Sequence, residues 1–333
     1  MPVNVAVFSA QPYDEASLTA AAADKSVALT FFPPALTQQT CAMAKGFSVV
    51  CVFVNDTLDA EVISTLHALG VKHIALRCAG YNNVDLACAQ AHNIAVSRVP
   101  AYSPETVAEH TLALILTLNR KTHHAYNRVR EGNFSLNGLL GFTLHNKTVG
   151  VVGTGEIGLA VVRILRGFGC RVLCCDPQKN PAVESLGGEY VSADVLFDRS
   201  QIITLHCPLT EHTAHFIDAD AIAKMQKGVM LINTSRGAIV DTRAAIDGLK
   251  QKKIGALGID VYEQEAGLFF TDRSLQIIDD DVFERLLTFP NVLITGHQGF
   301  FTQEALTEIA NTTINNIEDF AHQRATQKRF LLS

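Results

Sequence analysis

The stretch 148–158, TVGVVGTGEIG, decides the fold of this chain. An apolar run typical of a strand leads directly into a G-x-G-x-x-G turn made by Gly153, Gly155 and Gly158, and an amphipathic segment follows at 157–168. A strand, turn and helix in this order bring backbone close to a phosphate and aim helix N–H groups at it. Glycines also serve ordinary tight turns, so the motif alone is weak evidence.

A carboxylate stands where a dinucleotide would need one. The next predicted strand, 171–175, ends at Asp176, about 20 residues after the glycines, where an acid accepts hydrogen bonds from ribose hydroxyls. The same charge repels the 2′-phosphate of NADP. The turn and the acid together predict NAD as the cofactor.

Apolar runs alternate with helical stretches along the whole chain. Runs this short and this apolar are typical of strands buried on both faces of parallel α/β sheets. The first series of predicted strands is 3–8, 27–32, 49–54, 74–76 and 94–96, and the second is 148–152, 171–175, 202–206, 229–233, 256–259 and 292–294. The predicted fold class is therefore α/β, with two doubly wound parallel-sheet domains.

Composition agrees with two domains and excludes several kinds of partner. A chain of 333 residues exceeds what one hydrophobic core usually supports. The net charge is −6 and the basic residues are scattered, which argues against nucleic acid as a partner. The longest apolar stretch, 112–118, is too short to cross a membrane, and no secretory signal is recognisable, so we expect a cytoplasmic protein.

The eight cysteines have no metal-like spacing. We interpret them as small buried side chains in a reducing compartment, and we expect no metal.

The segment 107–118 is apolar almost all round, which a surface helix does not tolerate. It therefore predicts a helix packed between domains or between subunits. We expect a homodimer or a homotetramer.

Three later segments each end a predicted strand with polar residues, at 233–236, 260–265 and 295–298. Ligands of open α/β sheets bind at this end of the strands. Reduction of a keto acid needs a cation for the carboxylate, a proton donor for the carbonyl oxygen, and a group that stabilises the protonated donor. Arg236, His297 and Glu265 meet these needs. Taken alone, each is more readily interpreted as a structural residue: Arg236 as a surface ion pair, His297 as a core hydrogen-bonder and Glu265 as a solvated charge. Their joint placement after a dinucleotide motif favours catalysis.

The chain resembles the D-isomer-specific 2-hydroxyacid dehydrogenases over nearly its whole length. The resemblance is carried by CAGYNNVD (78–85), VPAYSPETVAEHTLALILTLNR (99–120), GTGEIG (153–158), LHCPLT (205–210), NTSRGAIVD (233–241), GIDVYEQE (258–265) and TGHQGF (295–300). It implies a Rossmann NAD-binding domain at 102–299, inserted into a flavodoxin-like catalytic domain made of 1–101 and 300–333. A helix at about 303–323 would complete that second domain, and hinges near 101 and 299 would allow closure.

The resemblance also implies reversible reduction of a small 2-keto acid by NADH, with pyruvate and (R)-lactate as the expected pair. His297 would be the acid/base, Glu265 its partner and Arg236 the anchor of the substrate carboxylate. The implied substrate-binding residues are Ala79, Gly80, Tyr102, Arg236, His297 and Phe300. The implied cofactor-binding residues are Gly153, Gly155, Glu156, Ile157, Gly158, Asp176, Cys207, Pro208, Thr213, Thr234, Ser235, Arg236 and Asp260. At Thr213 relatives often carry Asn, which puts that contact in doubt.

Two alternatives stay open at this point. Another 2-hydroxyacid dehydrogenase of the same family would act on hydroxypyruvate, phenylpyruvate or a branched 2-keto acid. An NAD-binding scaffold that resembles the co-repressors of the same fold could retain the same Arg, Glu and His. The match around Tyr102 and Phe300 favours the enzyme that acts on pyruvate.

Overall fold

The computed structural model describes residues 2–322, 324 and 331–332. The chain forms two compact units: unit 1 consists of Met1–Ser103 and Phe301–Ser333, and unit 2 of Pro104–Phe300.

Unit 1 is a parallel α/β sheet with helices. Its strands are Val3–Val7 (β1), Val27–Phe31 (β2), Val49–Val52 (β3), His73–Leu76 (β4) and Ala95–Ser97 (β5). Its helices are Pro12–Ala22 (α1), Ala60–Ala68 (α2), Leu86–Ala91 (α3) and Gln303–Ala321 (α12), with a 3-10 turn at Cys41–Ala44. The strand order is β2-β1-β3-β4-β5 and every pair is parallel. Residue 323, where we expected the last helix to end, lies outside the described residues.

The last helix belongs to the core of unit 1. Ile314 and Ile317 of α12 are buried in the same apolar cluster as Val5 and Val7 of β1. The chain therefore returns to its first sheet after completing unit 2, because the apolar face of α12 finds its burial there.

Unit 2 is a larger parallel sheet. Its strands are Thr148–Val152 (β6), Arg171–Cys175 (β7), Glu189–Tyr190 (β8), Ile202–Leu205 (β9), Val229–Asn233 (β10), Ile254–Ile259 (β11) and Val292–Ile294 (β12). Its helices are Pro104–Arg120 (α4), Thr122–Arg130 (α5), Glu156–Gly167 (α6), Pro181–Ser185 (α7), Ala193–Arg199 (α8), Ala219–Lys224 (α9), Thr242–Lys250 (α10) and Asp281–Leu287 (α11), with a 3-10 turn at Gly237–Ile239.

The order of the second sheet, β12-β11-β10-β9-β6-β7-β8, fixes where a ligand can bind. The chain moves outward from β6 in one direction to β7 and β8, and later in the other direction from β9 to β12. The switch point lies between β6 and β9, and ligands of such sheets bind beyond the carboxyl ends of the strands at that point. The predicted fold class is confirmed. Strand β8 was not predicted, because two residues are too few to show a periodic pattern.

The explanation that we expected for the apolar helix is wrong. Leu112, Leu114, Ile115 and Leu118 of α4 are buried within unit 2 itself, in one cluster with the strands of its sheet. Helix α4 packs against α6, β10 and β11. Burial inside a single unit accounts for the apolar character of α4, so this helix gives no evidence of a subunit interface.

None of the eight cysteines forms a disulfide, and six of them are buried. Within the described ranges, no helix combines the length and the apolar character that a membrane crossing requires.

Candidate active site

The glycine turn after β6 is sterically constrained. Gly153 has φ +89°, and a Cβ built on it would lie 2.5 Å from the backbone nitrogen of Cys207. A Cβ on Gly158 would lie 2.0 Å from the carbonyl oxygen of Gly153. By contrast, a Cβ on Gly155 would meet nothing within 4 Å, so the turn opens to free space directly before α6. This is a cradle in which backbone and the helix N-terminus can contact a pyrophosphate.

Asp176 is held in place beside that turn. Its Oδ2 accepts hydrogen bonds from the backbone nitrogen of Thr154 (2.6 Å) and from the Thr154 hydroxyl (3.1 Å), and its Oδ1 accepts one from the backbone nitrogen of Gln178 (2.8 Å). The carboxylate is half-buried. Ionised carboxylates offer about four acceptor positions, so capacity remains for ribose hydroxyls. The turn and this acid fit a dinucleotide.

The loop after β9 forms the other wall of the cradle. Burial lowers the pKa of His206 to about 3, so its imidazole is neutral near pH 7, and its Nε2 lies 2.9 Å from the Thr204 hydroxyl. Burial raises the pKa of Cys207 to about 11, which keeps the thiol protonated. Neither group is a proton carrier at neutral pH. They shape the wall instead.

Several side chains that we expected at the cofactor are committed to bonds within the protein. The Ser235 hydroxyl donates to the carbonyl oxygen of Cys207 (2.6 Å), the Thr213 hydroxyl donates to that of Pro208 (2.6 Å), and the Thr234 and Thr111 hydroxyls lie 2.9 Å apart. The Ser235 bond joins the loops after β9 and β10, the Thr213 bond lies within the loop after β9, and the Thr234 contact joins the loop after β10 to α4. Glu156, in contrast, is exposed in the first turn of α6, where an acid favours the helix dipole.

Arg236 lies in a braced loop after β10. The amide of Asn233 donates to the carbonyl oxygen of Arg236 (2.9 Å) and accepts from the backbone nitrogen of Ser235 (3.1 Å). Gly237 packs so closely on the loop after β11 that a Cβ would lie 2.0 Å from the carbonyl carbon of Tyr262. The half-buried guanidinium of Arg236 donates to the carbonyl oxygen of Ser235 (2.7 Å), and it keeps donors for a carboxylate.

Glu265 and His297 form a hydrogen-bonded pair. The Nδ1 of His297 lies 2.8 Å from the Oε1 of Glu265, and the Oε2 of Glu265 accepts from the backbone nitrogen of Tyr262 (3.0 Å). The Nε2 of His297 makes no hydrogen bond to any residue that the structure describes. An imidazole whose Nδ1 faces a carboxylate can give or take a proton at Nε2.

Asp260, expected near the nicotinamide, is buried with 1 % of its surface exposed. Its carboxylate accepts from the backbone nitrogens of Gln298 (2.9 Å) and Gly299 (2.8 Å) and from the Thr295 hydroxyl, and it pairs with His110 at 3.2 Å. The side chain therefore holds the segment that carries His297. Nothing in the sequence distinguishes this use of an acid from contact with a ligand.

The remaining expected site residues are divided between the units. Ala79 and Gly80 follow β4 in unit 1, where Arg98 donates to the carbonyl oxygen of Ala79 (3.0 Å) and the Cys78 thiol to that of Gly80 (3.2 Å). Tyr102 is half-buried near the end of the first segment of unit 1, and Phe300 is buried as the last residue of unit 2.

The sequence did not predict that Phe270 lies beside the candidate site. Its ring centroid lies 5.6 Å from that of His297, with 38° between the ring planes. Both residues have a left-handed backbone, φ +62° for Phe270 and φ +54° for His297. No pattern in the sequence predicts this contact, because it depends on the path of the loop that carries Phe270.

Comparison with known proteins identifies the family to which this chain belongs. The family model "D-isomer specific 2-hydroxyacid dehydrogenase, NAD binding domain" matches residues 112–299. A 2-hydroxyacid dehydrogenase homolog of Haemophilus influenzae is 55% identical over 95% of both chains, and the D-lactate dehydrogenase of Escherichia coli K12 is 51% identical over 95% of this chain and 96% of the other.

Solved structures agree. The apo-structure of D-lactate dehydrogenase from E. coli has a TM-score of 0.91 at 47% identity, covering 99% of this chain and 100% of that one. D-Lactate dehydrogenase from Aquifex aeolicus, solved with NAD and lactic acid, has a TM-score of 0.86 at 34% identity, covering 96% of each. This chain belongs to the D-isomer-specific 2-hydroxyacid dehydrogenase family. It is an NAD-dependent oxidoreductase of D-2-hydroxy acids, and the predictions of family, of enzyme class and of NAD are confirmed.

The position of Asp176 generates a prediction about cofactor choice. Replacing Asp176 by Asn keeps an acceptor for the Thr154 backbone but removes the charge. The preference for NADH over NADPH, as a ratio of kcat/KM values, should narrow by about 1 to 3 kcal/mol, the scale of a hydrogen bond to a charged group. Steady-state kinetics with both cofactors measures this, and Glu184→Gln, an exposed acid on α7, is the control. An unchanged ratio would show that Asp176 does not select the cofactor.

Proposed function

We propose that this enzyme reduces pyruvate to (R)-lactate with NADH, and that the reaction is reversible. The observation that carries the proposal is the Glu265–His297 pair, in which Nε2 has no hydrogen-bond partner among the described residues and which lies in the same unit as Arg236 and the glycine turn. Support comes also from relatives about half identical in sequence that are named D-lactate dehydrogenase.

In the proposed reaction, Arg236 binds the carboxylate of the keto acid through a charge-assisted hydrogen bond. The protonated Nε2 of His297 donates its proton to the carbonyl oxygen as charge develops there, and Glu265 stabilises the imidazolium. NADH, when bound, supplies the hydride that the keto carbon accepts. In the reverse direction, neutral His297 takes the proton from the hydroxyl group of (R)-lactate.

We further propose that unit 2 provides the cofactor-binding residues and that Ala79 and Gly80 of unit 1 help to hold the substrate carboxylate. Tyr102 and Phe300 would narrow the pocket around the substrate side chain. Two large rings leave room for a methyl group more readily than for another aromatic ring.

A panel of keto acids tests the substrate. Pyruvate should give the highest kcat/KM among pyruvate, hydroxypyruvate, phenylpyruvate and 2-ketoisocaproate, measured as NADH oxidation, and the product should be (R)-lactate by chiral chromatography. A higher kcat/KM with phenylpyruvate would contradict the narrow pocket. Production of (S)-lactate would contradict the stereochemistry.

The charge of Glu265 generates a prediction about the rate of reduction. Reduction needs a protonated His297 that donates to the carbonyl oxygen, and Glu265→Gln removes the carboxylate that stabilises the imidazolium. The kcat of pyruvate reduction should fall by roughly 10-fold or more. His297→Ala should abolish most activity in both directions. The measurement is steady-state kcat in both directions, and a kcat of reduction in Glu265→Gln within twofold of wild type would exclude this role of Glu265.

We also propose that the enzyme is at least a homodimer, on different residues from those first expected. The segment after α5 exposes large apolar side chains, with 74 % of Phe134, 81 % of Leu136 and 88 % of Leu140 accessible in the single chain. Contiguous apolar exposure of this kind marks interaction sites, and a second copy offers the same surface across a two-fold axis.

Light scattering at micromolar concentration should therefore give at least twice the mass of 36.1 kDa. Substituting Asp for both Leu136 and Leu140 should shift the mass toward the monomer. Asp in place of Leu275, which is 99 % exposed elsewhere in unit 2, is the control and should leave the mass unchanged. A wild-type monomer would refute the proposal.

A further inference from the structure

Phe270 occupies a backbone conformation that does not suit it. A positive φ is uncommon outside glycine, and for a bulky residue it is an outlier. Phe270 has φ +62°, in a loop that follows Glu265 directly. Glycine would adopt this conformation without strain. The side chain at this position therefore carries a contact that a glycine would forfeit.

The surrounding loop forces the conformation. The backbone nitrogens of Leu268 and Phe269 both donate to the carbonyl oxygen of Glu265 (3.0 Å each), so the chain turns tightly after the carboxylate residue. Phe269 is buried against Phe283 of α11, with their ring centroids 6.0 Å apart. Arg273 braces the outer side by donating to the carbonyl oxygen of Gly267 (2.7 Å). With Phe269 directed toward α11, the left-handed step at the next residue directs Phe270 toward His297.

The contact adds a second restraint on the imidazole. The ring can rotate about its Cβ–Cγ bond, and the single hydrogen bond at Nδ1 tolerates part of that rotation because hydrogen-bond angles vary widely. A second contact against the ring narrows the range. Phe270 makes that contact, 5.6 Å from centroid to centroid and at 38° between planes, within the range of favourable aromatic pairs.

We propose that Phe270 is a positioning residue, which fixes the plane of the His297 ring so that Nε2 keeps the direction needed for proton transfer. The inference rests on the proposed role of His297, and it assigns different roles to the two residues that contact the imidazole. Glu265 stabilises the charge of the imidazolium, and Phe270 fixes the orientation of the ring. Misplacing a reacting group by about 1 Å can cost on the order of 100-fold in rate, so loss of the ring should lower kcat rather than weaken binding.

The test is a series at position 270. Phe270→Gly relieves the backbone strain and removes the ring, and we expect kcat for pyruvate reduction to fall at least 10-fold while KM for NADH and for pyruvate change less than threefold. The melting temperature should fall, because Phe270 packs against the core cluster that contains Phe269 and because glycine adds conformational entropy to the unfolded chain, so kcat is compared well below that temperature. Phe270→Tyr should restore most of kcat, and Phe270→Leu part of it.

Lys252→Gly is the matched control. Lys252 has φ +58° and is exposed after α10, so the substitution relieves comparable strain away from any imidazole. It should leave kcat unchanged.

Two results would overturn the inference: a kcat in Phe270→Gly within twofold of wild type, or a loss of kcat that Tyr fails to restore. His297→Ala, measured in parallel, separates this failure from failure of the proposed function. If His297→Ala keeps its activity, the proposed function itself is wrong. If His297→Ala is inactive while Phe270→Gly is fully active, only the role of Phe270 is wrong.

Discussion

The buried carboxylate of Asp260 is the interaction on which the active site depends. Two backbone N–H groups, the Thr295 hydroxyl and the His110 ring surround it, so the cost of removing a charge from water is offset by hydrogen bonds. These bonds join the end of β11 to the segment after β12. His297 lies in that segment, and its own backbone nitrogen donates to the carbonyl oxygen of Asp260 (2.7 Å). The position of the imidazole is thus set by a residue whose side chain does not touch it.

Bonds between loops also fix the other candidate functional groups at the carboxyl edge of the sheet. Each loop that carries such a group is bonded to the loop after a neighbouring strand. The Ser235 hydroxyl reaches the carbonyl oxygen of Cys207, and Gly237 packs against the backbone of Tyr262. Because parallel strands end at one edge, short polar side chains suffice to link these loops. Rigid linkage of this kind would keep the proposed catalytic groups within the narrow tolerance that proton and hydride transfer require.

The sequence predicted the parts of this arrangement that follow from repeated local patterns. Apolar runs predicted the strands, and Gly153 with Asp176 predicted the cofactor. The polar residues at the strand ends predicted candidate functional residues, whose roles stay predictions. Other parts depend on tertiary structure, which pattern does not encode. The apolar helix α4 was assigned to an interface because periodicity shows that a face is buried but not what buries it. The placement of Asp260 near the nicotinamide, which the resemblance implies, stays a prediction, because a polar residue after a strand can face either a ligand or a neighbouring loop.

The non-glycine residues with a positive φ fall into two groups, those that end a helix and those that do not. Asn93 and Lys252 are left-handed because each follows a helix, where that conformation lets the backbone nitrogen bond back into the last turn. Helix termination explains their cost, which is roughly 1 to 2 kcal/mol per residue. Ser9, Asn146, His215, Phe270 and His297 have positive φ away from any helix end. Phe270 and His297 differ from the others in that their rings contact each other. Backbone strain persists only where the surroundings over-determine it. At Phe270 and His297 the proposed positioning of the imidazole accounts for the strain.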